Sequence, residues 1–187
     1  MRKWVIFLLT ALSLSAAAQT SVKNFTVTDV VTQQPVSLDH YASSGIVVVL
    51  FTSNECPFDK YYVDRIAGLI RDYPGKVQFL LVNSHLEPEE SEVKMREAAA
   101  AFQAPYLADK SQAAMTALGA KRSPEAFVLL HEKTHFTVVY SGAIDDNPQD
   151  PAAISTHHLK VALDNVLAGK HTGHHQVRGA GCSIRKK

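Results

Sequence analysis

The sequence predicts an α/β fold in which a central mixed β-sheet is flanked by helices, and three observations carry that prediction. Residues 45–51 and 77–82 are almost continuously apolar, the pattern of strands buried on both faces. Stretches with helically spaced apolar residues stand between and after them, giving the order strand, helix, strand, helix, hairpin, helix. Composition is that of an ordinary globular chain, 46% hydrophobic and 20% charged over 187 residues. That balance excludes a disordered, collagen-like or multi-span membrane protein.

Residues 1–18 stand apart from this pattern. Met1-Arg2-Lys3 is a basic start, residues 4–14 form a largely apolar run, and Ala16-Ala17-Ala18 is a small-residue cleavage pattern. Together they read as a secretory signal peptide with a mature start at Gln19. An uncleaved anchor is the alternative, but the run is shorter than the ~20 residues a bilayer span needs. The mature chain is expected to be exported, periplasmic or secreted, without stable membrane insertion, where cysteines oxidise.

Residues 25–31 then make a short Val/Thr-rich lead, and residues 45–51 the first core strand. Residues 57–73 carry Tyr61, Val63, Ile66, Leu69 and Ile70 at roughly helical spacing, with Pro57 in the first turn and Pro74-Gly75 as the stop. Residues 77–82 are the second core strand. Residues 89–102, rich in Glu, Ala and Lys, and residues 111–118, closed by Gly119, are helices. Strands at 126–130 and 136–140 flank residues 131–135 in a hairpin pattern. A last helix at 155–168 stops at Gly169. Residues 171–187 form a His- and Gly-rich tail that carries Cys182.

Charge narrows the function classes. The formal charge is +1, and removal of Arg2 and Lys3, with no acid before residue 19, makes it −1. Neither value offers the electrostatic footprint of a nucleic-acid binder. Chemistry is expected where the first core strand turns into a helix, at Thr52-Ser53-Asn54-Glu55-Cys56-Pro57. A thiol there meets the unpaired N–H groups and dipole of a helix start, which favour the thiolate nucleophile. The competing reading of Cys56 is a buried structural cysteine packed as a small hydrophobe.

The run Val48-Val49-Leu50-Phe51-Thr52-Ser53-Asn54-Glu55-Cys56-Pro57-Phe58 resembles the active-site turn of thioredoxin-superfamily redoxins, specifically the peroxiredoxin-like group with an alkyl hydroperoxide reductase/thiol-specific antioxidant-type domain. Later segments agree in order: Tyr106-Leu107-Ala108-Asp109, Ser123-Pro124-Glu125, Asp145-Asp146-Asn147 and Gly181-Cys182-Ser183-Ile184. The resemblance implies a thioredoxin-like three-layer fold over residues 19–170. It implies an exported thiol oxidoreductase acting through Cys56 on a small-molecule peroxide or a protein thiol/disulfide. An external reductant would complete the cycle, with no cofactor and no metal. Pro124 matches the proline such folds hold in the cis form facing the active cysteine, which leaves the Ser123 backbone to pair with an extended thiol substrate. Arg122 is placed to lend a cation to the Cys56 thiolate or a peroxide oxygen.

The sequence also departs from that group. Many relatives carry Cys-x-x-Cys in the turn, whereas Ser53 takes the first place here and rules out a local dithiol. Ser53-Asn54-Glu55-Cys56 instead resembles the Ser/Thr-x-x-Cys of peroxiredoxins, in which the hydroxyl binds thiolate or peroxide and the cysteine becomes a sulfenic acid. Val49 stands where those proteins carry a proline, and Cys56 matches the second family cysteine, which resolves rather than attacks in disulfide exchange. From another class, His157, His158, His171, His174 and His175 with Cys182 are ligands for copper, zinc or haem. The alternatives are therefore a metal- or haem-binding module and a redox-inactive interaction scaffold on the same fold.

Three smaller signals fill out the reading. Asn24-Phe25-Thr26 matches a glycosylation pattern, and Glu87-Pro88-Glu89-Glu90-Ser91-Glu92 reads as a solvated acidic helix start. Asp145-Asp146-Asn147-Pro148 reads as a turn. Cys182 is expected to resolve a Cys56 sulfenate as a Cys56–Cys182 disulfide, within or between chains, with Gly173, Gly179 and Gly181 giving the tail freedom to approach and leave. A permanent bond pinning the tail, or two sulfurs that never meet, are the other outcomes.

Overall fold

The computed structural model describes residues 21–170 and 173–187, so the expected signal peptide and His171 lie outside the described residues. In chain order the elements are β1 (Thr26–Asp29), β2 (Pro35–Ser37), β3 (Ile46–Phe51), α1 (Pro57–Asp72), β4 (Gln78–Asn83), α2 (Glu92–Ala99) and β5 (Tyr106–Ala108). They continue as α3 (Ala113–Leu118), β6 (Arg122–Ser123), β7 (Glu125–Glu132), β8 (His135–Gly142), α4 (His158–Leu167), β9 (His175–Val177) and β10 (Cys182–Ser183).

The fold is α/β, with eight strands in one mixed sheet ordered β2-β1-β5-β4-β3-β7-β8-β9. β3 lies parallel to β4 and antiparallel to β7, so it is hydrogen-bonded on both edges. Its six residues are all buried, which is why this run is apolar without alternation. Alternate side chains leave on opposite faces. Val48 and Leu50 enter the core under α1, α2 and α4, with Tyr62, Ile66, Met95 and Leu163. Val47, Val49 and Phe51 enter the opposite core with Leu38, Met115 and Ile184.

Four local differences from the sequence reading have physical causes. The buried stripe of α1 runs through Asp59, Tyr62 and Ile66, while Tyr61 is 48% exposed. Hydropathy alone chose Tyr61 because it cannot see an acid facing inward. The helix expected at 89–102 is split, because Ser91 is extended and its hydroxyl caps α2 by accepting the Lys94 N–H. The β7–β8 loop is tighter than residues 131–135. Both strands run on to Glu132 and His135, and Lys133 takes φ 55° in the connection. The strands β2, β5, β6, β9 and β10 span two or three residues each, too few to show a period.

The tail is part of the sheet system. β9 extends the main sheet parallel to β8, and β10 pairs antiparallel with β6, Cys182 opposite Ser123 and Ser183 opposite Arg122. Gly179 and Gly181 serve close approach here rather than freedom. A Cβ at Gly181 would stand 2.5 Å from the Ser123 carbonyl oxygen, and one at Gly179 3.2 Å from the Ala143 Cα.

Candidate active site

Two chain reversals meet at the carboxyl end of β3. The first is the Thr52–Pro57 turn, which ends with Cys56 at the N-cap of α1 and Pro57 in its first turn. Ser53 builds this turn: its Oγ accepts the N–H groups of Glu55 and Cys56 at 3.1 and 3.0 Å. The second is the Ser123–Pro124 bond, which is cis. It brings the Ser123 carbonyl oxygen to 3.5 Å from the Cys56 Sγ. The tail completes the site, because Cys56 and Cys182 form a disulfide within the chain, 126 positions apart. Cys56 is 3% exposed, whereas Cys182 is half-buried. Both line a cleft of about 490 Å³ whose walls include Ser53, His85, Glu87 and Arg185.

The structure gives Ser53 and Arg122 partners other than a peroxide. The Ser53 hydroxyl donates to the carboxylate of Glu90. Glu90 is 2% exposed and also accepts the Asn54 N–H at 2.9 Å, the Glu55 N–H at 3.2 Å and the Asn83 amide at 2.7 Å. An internal carboxylate thus fills the nest of donors that precedes the helix. Burial alone would raise the Glu90 pKa, but these hydrogen bonds outweigh it and hold the carboxyl below its usual range. The Arg122 guanidinium donates to the Gly179 carbonyl at 2.6 Å, and so holds the tail. The Ser123 backbone, expected to receive an extended thiol substrate, is paired with the chain's own Cys182.

Sequence reasoning missed three groups around the disulfide. Glu90 was grouped with a solvated helix start, and its burial shows only when residues 88–90 meet the Ser53–Glu55 turn. His85 shares a 2.9 Å hydrogen bond between its Nε2 and Ser123 Oγ, and burial pushes its pKa below the ordinary value, which favours the neutral ring. Asp59 lies on the inward face of α1, 3% exposed, with neither carboxylate oxygen in a hydrogen bond. Burial raises its pKa to about 7, and the nearby hydroxyls of Ser123 and Thr52 pull it down by less. An Asp three residues after the turn cysteine, in a helix otherwise apolar on that face, was the available signal.

The remaining expectations have plain placements. Asp145, left without a partner in the sequence reading, pairs with Arg65 at 2.7 Å and accepts the Tyr62 hydroxyl at 2.7 Å. His174 meets Ser141 Oγ at 2.8 Å and the His175 ring lies beside Tyr140. Among the described residues no three His, Cys, Asp or Glu side chains converge as a metal site. Among the described residues no helix is long and apolar enough to cross a membrane.

Comparisons with known proteins agree with this architecture. The sequence pattern of the AhpC/TSA family matches residues 18–146. No curated protein sequence matches the chain. A hypothetical protein of Sinorhizobium meliloti is 31% identical with a TM-score of 0.79, the match covering 89% of this chain and 92% of that one. An uncharacterized conserved protein of Geobacillus kaustophilus is 29% identical, TM-score 0.81, over 90% and 92%. A secreted disulfide oxidoreductase of Mycobacterium tuberculosis, homologous to E. coli DsbE, shares the fold at 15% identity and TM-score 0.53, over 75% and 94%. With the cysteine at the N-cap of α1 and the cis proline facing it, the chain belongs to the AhpC/TSA family of thioredoxin-fold redoxins.

Proposed function

We propose that this protein is an exported thiol–disulfide oxidoreductase that cycles the Cys56–Cys182 pair against an external protein or small-molecule thiol. The observation that carries the reading is the disulfide itself, set in a cleft between a helix N-terminus and a cis proline. Export is supported by the signal-like residues 1–18 and by a cysteine pair suited to an oxidising compartment. Exchange rather than peroxide reduction is supported by Ser53, whose hydroxyl hydrogen is committed to Glu90.

Exposure orders the two sulfurs. Cys182 is the more exposed, so an external thiolate attacks its Sγ, the Cys56–Cys182 bond breaks, and Cys56 leaves as a thiolate at the start of α1. A second external thiolate then attacks the partner's sulfur, the mixed disulfide breaks, Cys182 leaves as a thiolate and the two external thiols depart as their disulfide, so the pair has gained two electrons and, once neutralised, two protons. In the reverse direction the Cys182 thiolate attacks a substrate disulfide and Cys56 closes the ring. This assigns Cys56 the resolving part, opposite to the order expected from the sequence.

The test is reduction of insulin disulfides by dithiothreitol with wild type, Cys56→Ser and Cys182→Ser, together with mass analysis of trapped adducts. Wild type is expected to exceed the dithiothreitol control, and both variants to fall to it. The mixed disulfide is expected on Cys182 in the Cys56→Ser protein. Wild-type activity equal to the control sinks the function, and an adduct that forms only on Cys56 reverses the order of the sulfurs.

A further inference from the structure

Gln112 stands far from both sulfurs in the sequence, and no motif marks it. It is 4% exposed and caps the start of α3 with φ 58° and ψ 29°, the left-handed region that non-glycine residues adopt at a cost. Its side chain is engaged on both its polar atoms. Nε2 donates to the Arg185 carbonyl at 2.6 Å and the Ser84 carbonyl at 3.1 Å, and Oε1 accepts the Lys187 N–H at 2.9 Å.

Other contacts dock the same segment without touching a sulfur. Ile184 is 7% exposed in the core that includes Ala114 and Met115 of α3, and its N–H donates to the Lys121 carbonyl at 3.0 Å. Gly181 lies flat on the Ser123 carbonyl, and Arg122 holds Gly179. A tail that swings away on reduction would have to break all of these contacts.

We propose that Gln112 is the positioning residue for Cys182, its amide clamping the tail in the docked place whether or not the disulfide is formed. The inference rests on the exchange reaction above and says what makes the pair behave as one local dithiol although 126 positions separate the cysteines. Forming the bond releases two electrons and two protons to the oxidant, and reducing it takes them back. The sulfurs move little in either direction when the tail stays docked. Their effective concentration is set by the clamp, so loosening the clamp favours the dithiol.

The test equilibrates the purified full chain with dithiothreitol and its cyclic disulfide at varied ratio and counts free thiols. In Gln112→Gly, which relieves the left-handed backbone and removes the clamp, the constant for forming Cys56–Cys182 is expected to fall about tenfold or more. Gln112→Asn tolerates the same backbone but is one methylene short, so it is expected to fall likewise and keeps the test open if the glycine variant does not fold. In Cys56→Ser protein no disulfide can hold the tail. There the Ile184 amide is expected to exchange at least about tenfold slower than in an unstructured chain, protection that Gln112→Gly lowers. A constant within twofold of wild type, or free exchange of Ile184 with Gln112 intact, overturns the proposal. Neither readout uses insulin, so failure of the exchange activity and failure of the clamp are told apart.

Discussion

Asp59 concentrates the electrostatic cost of the site in one side chain. Its folded pKa is raised by burial to about 7, from an ordinary 3.8. Between these values the folded state keeps a proton that the unfolded state has released, so stability falls as pH rises from about 4 to 7 and is then level. Asp59→Asn removes the titration. Relative to wild type it is expected to gain stability across that window, by on the order of 4 kcal/mol at pH 8 against pH 4. Urea denaturation of both proteins at the two pH values checks this, and a pH-independent difference would show that Asp59 ionises freely. Glu90, equally buried, behaves oppositely because four donors meet its charge, and that contrast was not legible in the sequence. Both are acids beside apolar residues, and only packing shows that the donors around Glu90 outweigh its burial while the hydroxyls near Asp59 do not.

At the scale of elements, α1 is tied to the loop after β8 by one cation and the Tyr62 hydroxyl beside it. Arg65 donates to the Asp145 carboxylate at 2.7 Å, to the Asn147 carbonyl at 2.9 Å and to the Pro148 carbonyl, and its guanidinium stacks on the Tyr62 ring at 3.8 Å. The Asp145 side chain is 2% exposed, so removing the cation strands a buried charge. Arg65→Ala is expected to cost about 3–5 kcal/mol, measured by urea denaturation. Asp145→Asn in the same background should recover part of that loss, and additive effects of the two changes would mean they do not act as a pair. Residues 145–148 follow β8 in a bend in which the Asp145 carboxylate accepts the Asn147 N–H, and the cation that meets that carboxylate lies 80 positions earlier in the chain.

For the whole molecule, the disulfide closes a loop that contains everything from α1 to β9. With cysteines 126 positions apart, the chain-entropy account gives the bond about 5 kcal/mol, through the unfolded state. Cys182→Ala is therefore expected to lower the unfolding free energy by up to about 5 kcal/mol while the fold persists on its two cores. A loss of cooperative unfolding in that variant would show that the bond, rather than the cores, holds the tail and sheet together.

The longer strands and helices, the doubly buried β3 and the cysteine at the start of α1 were legible in neighbouring residues: apolar runs record burial, and a Cys-Pro pair after a strand records a helix start. The proline facing that cysteine was legible only through the family resemblance. The Cys56–Cys182 bond was expected and is formed, but the tertiary structure alone decided that it closes within one chain, that the tail is a strand rather than a loose arm, and that Glu90 occupies the donors of the turn before α1. Those outcomes depend on contacts between segments tens of residues apart. A two-residue strand leaves no period, a packing glycine reads the same as a flexible one, and a buried carboxylate is spelled like a solvated one.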